Sequence, residues 1–518
     1  MKWSKICIRG LLAHGSLAMA LTVGTGTLAL AQPAVAPPAA APVEYQVIDL
    51  APTIWKNGKP TEAMEKMGRL QIAQLLKGDL AFAANESLFD SYYTRYKFAV
   101  MTQTNEDQLA KLQQERRAFM EQHLKKAVSP EAHDHLVDLT FRSMKKICTE
   151  NFHPAVRYNA MLIIGDLNVK EGITGGANAG PADPLPAARD FMLAELVNPQ
   201  QIDAVKLAAI IGLTRHAEIN ALRPADRQYT NAVRAAMIKQ LLPLAADKKV
   251  PATRSDEGHA WMRGRLYELL TALSLAGYDN NVAQLLTQTV GDESEPFSLR
   301  FVAADLLGRM NLAASTTLTG ADVARKVADL LTQSSRAQLA LLEEEIAIEK
   351  AKARLSGGGA LPGRPPVRME LNQNPTDPVE IKREKRLLLV RRILKNRAQR
   401  ATTGLNGADG KLGAASVMKA SQKDYVTKVT ASVAALGKVA ETTNPTIYDL
   451  AKEMKAKILA LEQVAKTGGA PPAVAPAVPA VPAVEGPGAE GPGAEGPGTE
   501  AAKAAPPAEG PAAEGPGT

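Results

Sequence analysis

The chain has 518 residues, 45% of them hydrophobic, and a formal net charge of +7, so it is long enough for two or three domains. It contains only two cysteines, Cys7 and Cys148, which excludes a fold held together by several disulfides. Beyond the N-terminal apolar stretch, no window approaches about 18 uninterrupted apolar residues, and this predicts no transmembrane span in the mature chain.

Residues 1–31 have the pattern of a bacterial-type secretory signal peptide. Lys2, Lys5 and Arg9 form a positive region, an uncharged apolar stretch follows, and residues 29–31 (ALA) supply a small-x-small cleavage pattern. We therefore expect an exported protein that is periplasmic, envelope-associated or secreted. In that compartment nucleic acid is not an expected partner. Retention of the segment as an uncleaved anchor remains the alternative.

Residues 32–60 begin as a Pro/Ala spacer and continue as an extended lead-in to the folded part. From 61 to 128 the apolar residues recur at helical spacing, which predicts a group of N-terminal helices. We expect these helices to close the open end of whatever helical array follows them.

Within these helices, Tyr92, Tyr93 and Tyr96 belong to an aromatic cluster between residues 82 and 98. If the tyrosine face were exposed, it would be a candidate interaction site that stacks on sugar or peptide. The alternative is that the large rings cover the first unit of the following helices. The sequence favours this covering role and leaves the interaction role open.

A repeated pattern follows, in which an arginine precedes an alanine by three residues and a glycine by eight. The two copies are AVRYNAMLIIGDL at 155–167 and SLRFVAADLLGRM at 298–310. Lys206 begins a weaker copy in which the glycine comes two positions early, and Arg263 is a candidate for a missing copy. A recurring helical unit is typical of stacked helix pairs.

With these motifs, residues 129–335 resemble the HEAT-repeat family. The predicted fold is all-α: an irregular HEAT-like helical-repeat solenoid with flanking helices and disordered Pro/Ala/Gly-rich termini. The resemblance implies that the repeated basic residues lie on the inner helix and bond the neighbouring repeat's loop. It also implies protein binding, although a fold alone does not establish a function. A non-repetitive helical domain is the alternative.

After the repeats, the sequence predicts a charged helix at 336–355, a Gly/Pro/Asn linker at 356–378 and C-terminal helices at 379–467. One of these helices, 380–400, holds nine Lys/Arg against two Glu. It is a candidate to lie on an anionic envelope surface or to bind an acidic partner. It would equally suit a solenoid helix whose long basic side chains cover its polar side. The candidate interaction residues are Arg383, Arg386, Arg391, Arg392, Lys395 and Arg397.

Residues 468–518 are rich in Ala, Pro, Gly and Glu and contain no aromatic residue. Such a composition cannot bury enough apolar surface to offset the entropy of ordering, so we predict a disordered tail.

Catalytic motifs are missing from the sequence, which has no G-x-S-x-G, no phosphate-binding G-x-x-x-x-G-K-[ST] and no H-E-x-x-H. His133 and His135 would point about 200° apart on a helix and cannot share a metal ion. His135 with Asp138 would supply only two ligands, which do not make a site. We therefore predict no catalytic residue, no cofactor and no metal.

Together these patterns predict an exported, non-enzymatic helical-repeat scaffold that mediates protein–protein interactions in the periplasm or cell envelope. One alternative is a structural tether that uses the C-terminal tail as a spacer. A less favoured alternative is an unrecognised enzyme built on helical repeats. The partner is left open by the sequence.

Overall fold

A computed structural model describes residues 44–173, 175–176, 179–355, 378–407, 410–442 and 446–467. In these residues the chain is predominantly helical, with two small antiparallel two-stranded sheets, so the predicted all-α class is confirmed. The predicted signal peptide, Pro/Ala spacer, interhelical linker and C-terminal tail lie outside the described residues, except for the ends that adjoin the helices.

The helices are α1 (Glu62–Met67), α2 (Ala73–Lys77), α3 (Glu86–Tyr92), α4 (Phe98–Val100), α5 (Glu106–Gln122), α6 (Pro130–Thr149), α7 (Pro154–Asp166), α8 (Pro186–Val197), α9 (Asp203–Leu222), α10 (Asn231–Ala246), α11 (Asp256–Leu275), α12 (Asn280–Gly291), α13 (Phe297–Leu307), α14 (Gly320–Leu355), α15 (Pro378–Asn406), α16 (Lys423–Val439) and α17 (Ile447–Thr467). π-helical turns join α1 to α2 and α3 to α4. The strands are β1 (Trp55–Lys56), β2 (Lys59–Pro60), β3 (Asn168–Lys170) and β4 (Asp183–Pro184).

Proline starts several of these helices, as the sequence predicts. Pro130 and Pro154 are the first residues of α6 and α7, where a missing N–H costs little because it has no intrahelical acceptor. Pro199 starts no helix, although its sequence context resembles that of Pro154, since α9 begins at Asp203. The reason is local: the Asn198 side-chain oxygen accepts a 3.0 Å bond from the backbone N–H of Gln200 and forms a turn instead.

The predicted break between a last repeat helix and a charged helix at residues 335/336 is also wrong. One helix, α14, runs through the break without interruption. Its sequence contains no proline and no internal glycine, so nothing ends the helix there. Burial changes near Leu342: the first half of α14 is largely buried, and its charged second half is largely exposed.

The helices pack in pairs that follow chain order. Helix α6 packs on α7, α8 on α9, α10 on α11, and α12 on α13. The second members of the pairs also contact each other in sequence, α7 with α9, α9 with α11, α11 with α13, and α13 with α15. Helix α16 packs on α15, and α17 packs on α14 and α16. The core therefore continues from one pair to the next.

The glycines of the repeated pattern lie where neighbouring helices cross. A Cβ added at Gly165 of α7 would come within 2.7 Å of the Gly212 Cα of α9. A Cβ added at Gly404 of α15 would come within 2.6 Å of the Ala304 carbonyl oxygen of α13, and one at Gly308, just after α13, would collide with the Thr403 carbonyl. These positions require glycine because backbone meets backbone there.

Candidate functional site

The arginines make the same contact in three of the four helix pairs. Arg157, Arg263 and Arg300 each donate their Nε–H to a backbone carbonyl near the end of the preceding helix. The acceptors are Cys148 at 3.0 Å, Ala245 at 2.9 Å and Val290 at 3.0 Å. The guanidinium group thus caps a helix end whose carbonyls have no intrahelical partner.

The other side of each guanidinium reaches the next helix pair. The acceptors there are the Gln201 Oε1 at 2.5 Å, the Glu295 Oε2 at 2.8 Å and the Gln333 Oε1 at 3.0 Å. Arg263, the candidate for the missing copy, therefore has the same contacts as Arg157 and Arg300. The side chain of Lys206 takes part in no hydrogen bond among the described residues, and its neighbour Asp203 binds Arg254. These arginines are engaged inside the chain and are not free to bind a ligand.

The tyrosines of the aromatic cluster are buried. Tyr92 is 5%, Tyr93 0% and Tyr96 7% exposed, so the interpretation that they stack on sugar or peptide is wrong. The Tyr93 hydroxyl lies 2.9 Å from the His123 Nδ1, and burial raises the pKa of Tyr96 to about 12. The sequence left the choice open because helical spacing alone does not tell an exposed aromatic face from a buried one.

The cluster instead joins the N-terminal helices to the first helix pair. The rings of Phe82 and Phe89 lie 5.0 and 6.0 Å from the imidazole of His135 on α6. The Phe89 ring of α3 also lies 4.7 Å from the ring of Tyr93, which begins the π-helical turn between α3 and α4. Tilted and edge-on aromatic pairs of this kind contribute about 0.5–1.5 kcal/mol each beyond the area they bury.

His135 also contacts two carboxylates of α3. Its Nε2 lies 2.6 Å from the Asp90 Oδ1, and its Nδ1 lies 3.7 Å from the Glu86 Oε1. The three residues are close enough to hold a metal ion, but the carboxylates approach different ring nitrogens, which is the geometry of a hydrogen-bonded imidazole. Asp138, the partner considered from sequence, pairs with Arg142 at 2.9 Å.

Most of the candidate basic residues of α15 are engaged within the chain. Arg383 and Arg386 pair with Glu349 and Glu345 of α14. Arg391 donates to the backbone carbonyls of Ala440 at 3.0 Å and Thr442 at 2.6 Å. For these three arginines, the prediction of a free interaction surface is wrong, because α14 and the end of α16 supply their acceptors.

Arg397 and Lys395 also contact groups within the chain, which differs from the predicted free interaction surface. The Arg397 guanidinium lies 5.1 Å from the Phe297 ring and 5.6 Å from the Phe301 ring of α13, and burial lowers its pKa. Lys395 is exposed and binds Glu441 at 2.9 Å. Of the six basic candidates, only Arg392 is exposed and takes part in no hydrogen bond or ion pair among the described residues.

An outward-facing strip remains on α15, which we call the α15 outer face: Lys385, Leu388, Leu389 and Arg392. These four residues fall at i, i+3, i+4 and i+7, the spacing of one helical face. Leu388 is 59% and Leu389 54% exposed, and the two cations flank them along the helix. The sequence signal was the run of three leucines, of which only Leu387 lies against the core.

No protein-family model, no curated protein and no solved structure matches this chain. None of the described helices is both long and apolar enough to cross a membrane. The case for a function therefore rests on the contacts and exposed faces of the chain itself.

Proposed function

We propose that the protein is an exported, non-enzymatic scaffold, built as a HEAT-like helical-repeat solenoid, that binds an acidic protein partner. The observation that carries the proposal is the α15 outer face. Two exposed leucines stand between two cations there. Five other basic residues of the same helix contact groups within the chain: Arg383, Arg386, Arg391, Lys395 and Arg397.

The solenoid part of the proposal is supported by recurrence at three levels. Helices pack in pairs in chain order, and the second helices of successive pairs contact one another. Arg157, Arg263 and Arg300 each connect one pair to the next through equivalent atoms. Nearest-neighbour contacts of this kind are the organising feature of helical-repeat proteins, whose extended surfaces commonly bind other proteins.

The binding part is supported by the composition of the α15 outer face. Full burial of a leucine side chain is worth about 1.5–3 kcal/mol, so covering this adjacent pair with a partner would stabilise a complex. Lys385 and Arg392 at the two ends favour a partner that carries carboxylates around an apolar segment.

A membrane surface fits this face less well than a protein does. A helix that lies in a membrane interface buries a broad apolar face and keeps its basic residues on the opposite side. Here the opposite side of α15 is already packed against α13, α14 and α16. The exposed strip is narrow and has a cation at each end of its leucine pair, which suits a groove or helix of a partner protein.

The proposal is tested by placing a photo-crosslinking amino acid at Leu388 in the exporting cell. We expect a discrete protein adduct, and the captured protein should contain an acidic segment with apolar residues. The double variant Lys385→Glu, Arg392→Glu should reduce the yield of that adduct at least tenfold, because it reverses the charge at both ends of the face.

The matched control places the same crosslinker at Leu459, an exposed leucine of α17. An adduct that forms equally from both positions, or that survives the charge reversal, would contradict the proposal. Recovery of lipid or polysaccharide instead of protein at Leu388 would contradict it as well.

A further inference from the structure

A polar pocket lies at the N-terminal end of the described chain, far in sequence from the α15 outer face. It has a volume of about 660 Å³. That volume is within the range of about 300–1,000 Å³ typical of small-molecule sites. Its walls come from the extended segment before α1 and from the first turns of α5.

The extended segment is fixed to the helices beside the pocket. The Ile48 backbone N–H donates to the Thr102 Oγ1 at 2.9 Å, and the Gln103 Nε2 donates to the Ile48 carbonyl at 2.9 Å. The side chain of Ile48 packs against the core as well. The pocket wall is therefore held in place by residues more than 50 positions away in sequence.

The far wall is the β1–β2 hairpin. Asn57 and Gly58 make its turn with φ of 53° and 74°, the Asn-Gly pattern that two-residue hairpins favour. The half-buried Trp55 precedes this turn and lines the pocket, and its ring lies 6.1 Å from that of Tyr96 at an interplanar angle of 43°. An indole backed by another ring offers a rigid flat platform.

The floor holds an unpaired polar side chain. Gln108 is only 7% exposed and lines the pocket, yet its carboxamide takes part in no hydrogen bond among the described residues. The side chain of Asn105 is already used, since its Oδ1 accepts the Gln108 backbone N–H at 3.0 Å. Neither polar atom of the Gln108 carboxamide is among the buried side-chain atoms without a partner, so the amide group reaches the open space of the pocket and can bind a ligand there.

The charged groups around the pocket are the carboxylates of Asp49 and Asp107 and the ammonium of Lys111. Two negative groups against one positive group disfavour a phosphate, a sulfate or an acidic polymer. Carboxylate and carboxamide oxygens accept strong hydrogen bonds from hydroxyl groups, and an aromatic face binds the C–H side of a sugar ring. The chemistry thus matches a neutral polyhydroxyl ligand.

We propose that this pocket binds a neutral saccharide unit, with Trp55 as the stacking platform and Gln108 and Asp107 as hydroxyl partners. Such a site adds a polysaccharide contact to the proposed scaffold, at a place separate from the α15 outer face. The two proposals are independent, because variants of the pocket leave Leu388 and its neighbours unchanged.

The test is calorimetric titration of the purified full chain with tetraoses of glucose, galactose, mannose, xylose and N-acetylglucosamine. We expect at least one of them to bind with a dissociation constant below 10 mM. Trp55→Ala and Gln108→Leu should each weaken that binding at least tenfold, and the exposed-carboxylate variant Asp107→Asn should weaken it about threefold or more.

Trp261→Ala is the matched control, because Trp261 is an exposed tryptophan of α11 outside the pocket. It should bind the saccharide as the unchanged chain does. Asp107→Asn also guards against misfolding, since it alters an exposed residue and should keep the thermal unfolding midpoint. Absence of binding to all five tetraoses, or binding that is unaffected by the pocket variants, would overturn the proposal.

Discussion

His216 lies at the crossing of α7 and α9 and is fully buried. Its Nε2 lies 3.2 Å from the Gly165 carbonyl oxygen, which can only accept, so the Nε2 carries the proton. Its Nδ1 is buried without a hydrogen-bond partner. Burial, together with the neighbouring charge of Arg215, lowers the pKa of His216 to about 3. The imidazole is therefore neutral in the folded protein at neutral pH.

This burial predicts a pH dependence of stability. The folded pKa lies below the value of about 6.5 in the unfolded chain, so the unfolded state binds the extra proton first. The contribution is fully present above pH 6.5 and is lost as the pH falls from there towards about 3. Replacing His216 with Gln should reduce the slope of unfolding free energy against pH, by up to about 1.4 kcal/mol per pH unit.

Urea unfolding between pH 7 and pH 4 measures this slope. His123 supplies an internal comparison, because burial and then Lys97 and Lys126 lower its pKa to about 3 as well. The double variant His123→Gln, His216→Gln should lose the two contributions additively, since the residues lie in different helix pairs. The same slope in the unchanged chain, His216→Gln, His123→Gln and the double variant would show that these imidazoles are not buried in the neutral form.

At the scale of elements, the sequence predicts helix starts better than it predicts helix partners. Pro130 and Pro154 begin helices because capping and proline effects are local. The hydrogen bonds of Arg391 were not predictable, because the carbonyls that accept them belong to residues 49 and 51 positions away. The pocket was not predictable either. Gln108 carries no sequence signal, and its place in a pocket depends on the hairpin that folds next to it.

The glycine of the repeated pattern lies at the helix crossings, where close backbone contact explains it. Gly308→Ala should destabilise the protein by about 2–3 kcal/mol, because the new Cβ collides with the Thr403 backbone, which cannot yield as a flexible side chain would. Gly264→Ala is the control: its Cβ would lie 3.6 Å from Leu299, an ordinary contact. It should be neutral or stabilising by up to about 1 kcal/mol.

Chemical denaturation of the two variants tests this account of the crossings. Equal stability of Gly308→Ala and Gly264→Ala would mean that α13 and α15 lie farther apart than the structure shows.

At the scale of the whole molecule, the contacts among the described helices support a row of helix pairs, each bound to its neighbours. Arg300 connects α12, α13 and α14 through the Val290 carbonyl and the Gln333 side chain. Its loss would leave buried polar groups unpaired, at a cost of about 1–3 kcal/mol. In a row held by nearest-neighbour contacts, that cost stays local, whereas a single cooperative core would spread it over all helices.

Native-state hydrogen exchange on Arg300→Met measures this spread most directly, with the exposed Arg309→Met as control. The account predicts that amide protection falls in α12 to α15, stays unchanged in α6 to α9, and is unaffected throughout by Arg309→Met. A uniform loss of protection from α6 to α17, or no loss near Arg300, would contradict the claim that the molecule is a row of coupled helix pairs.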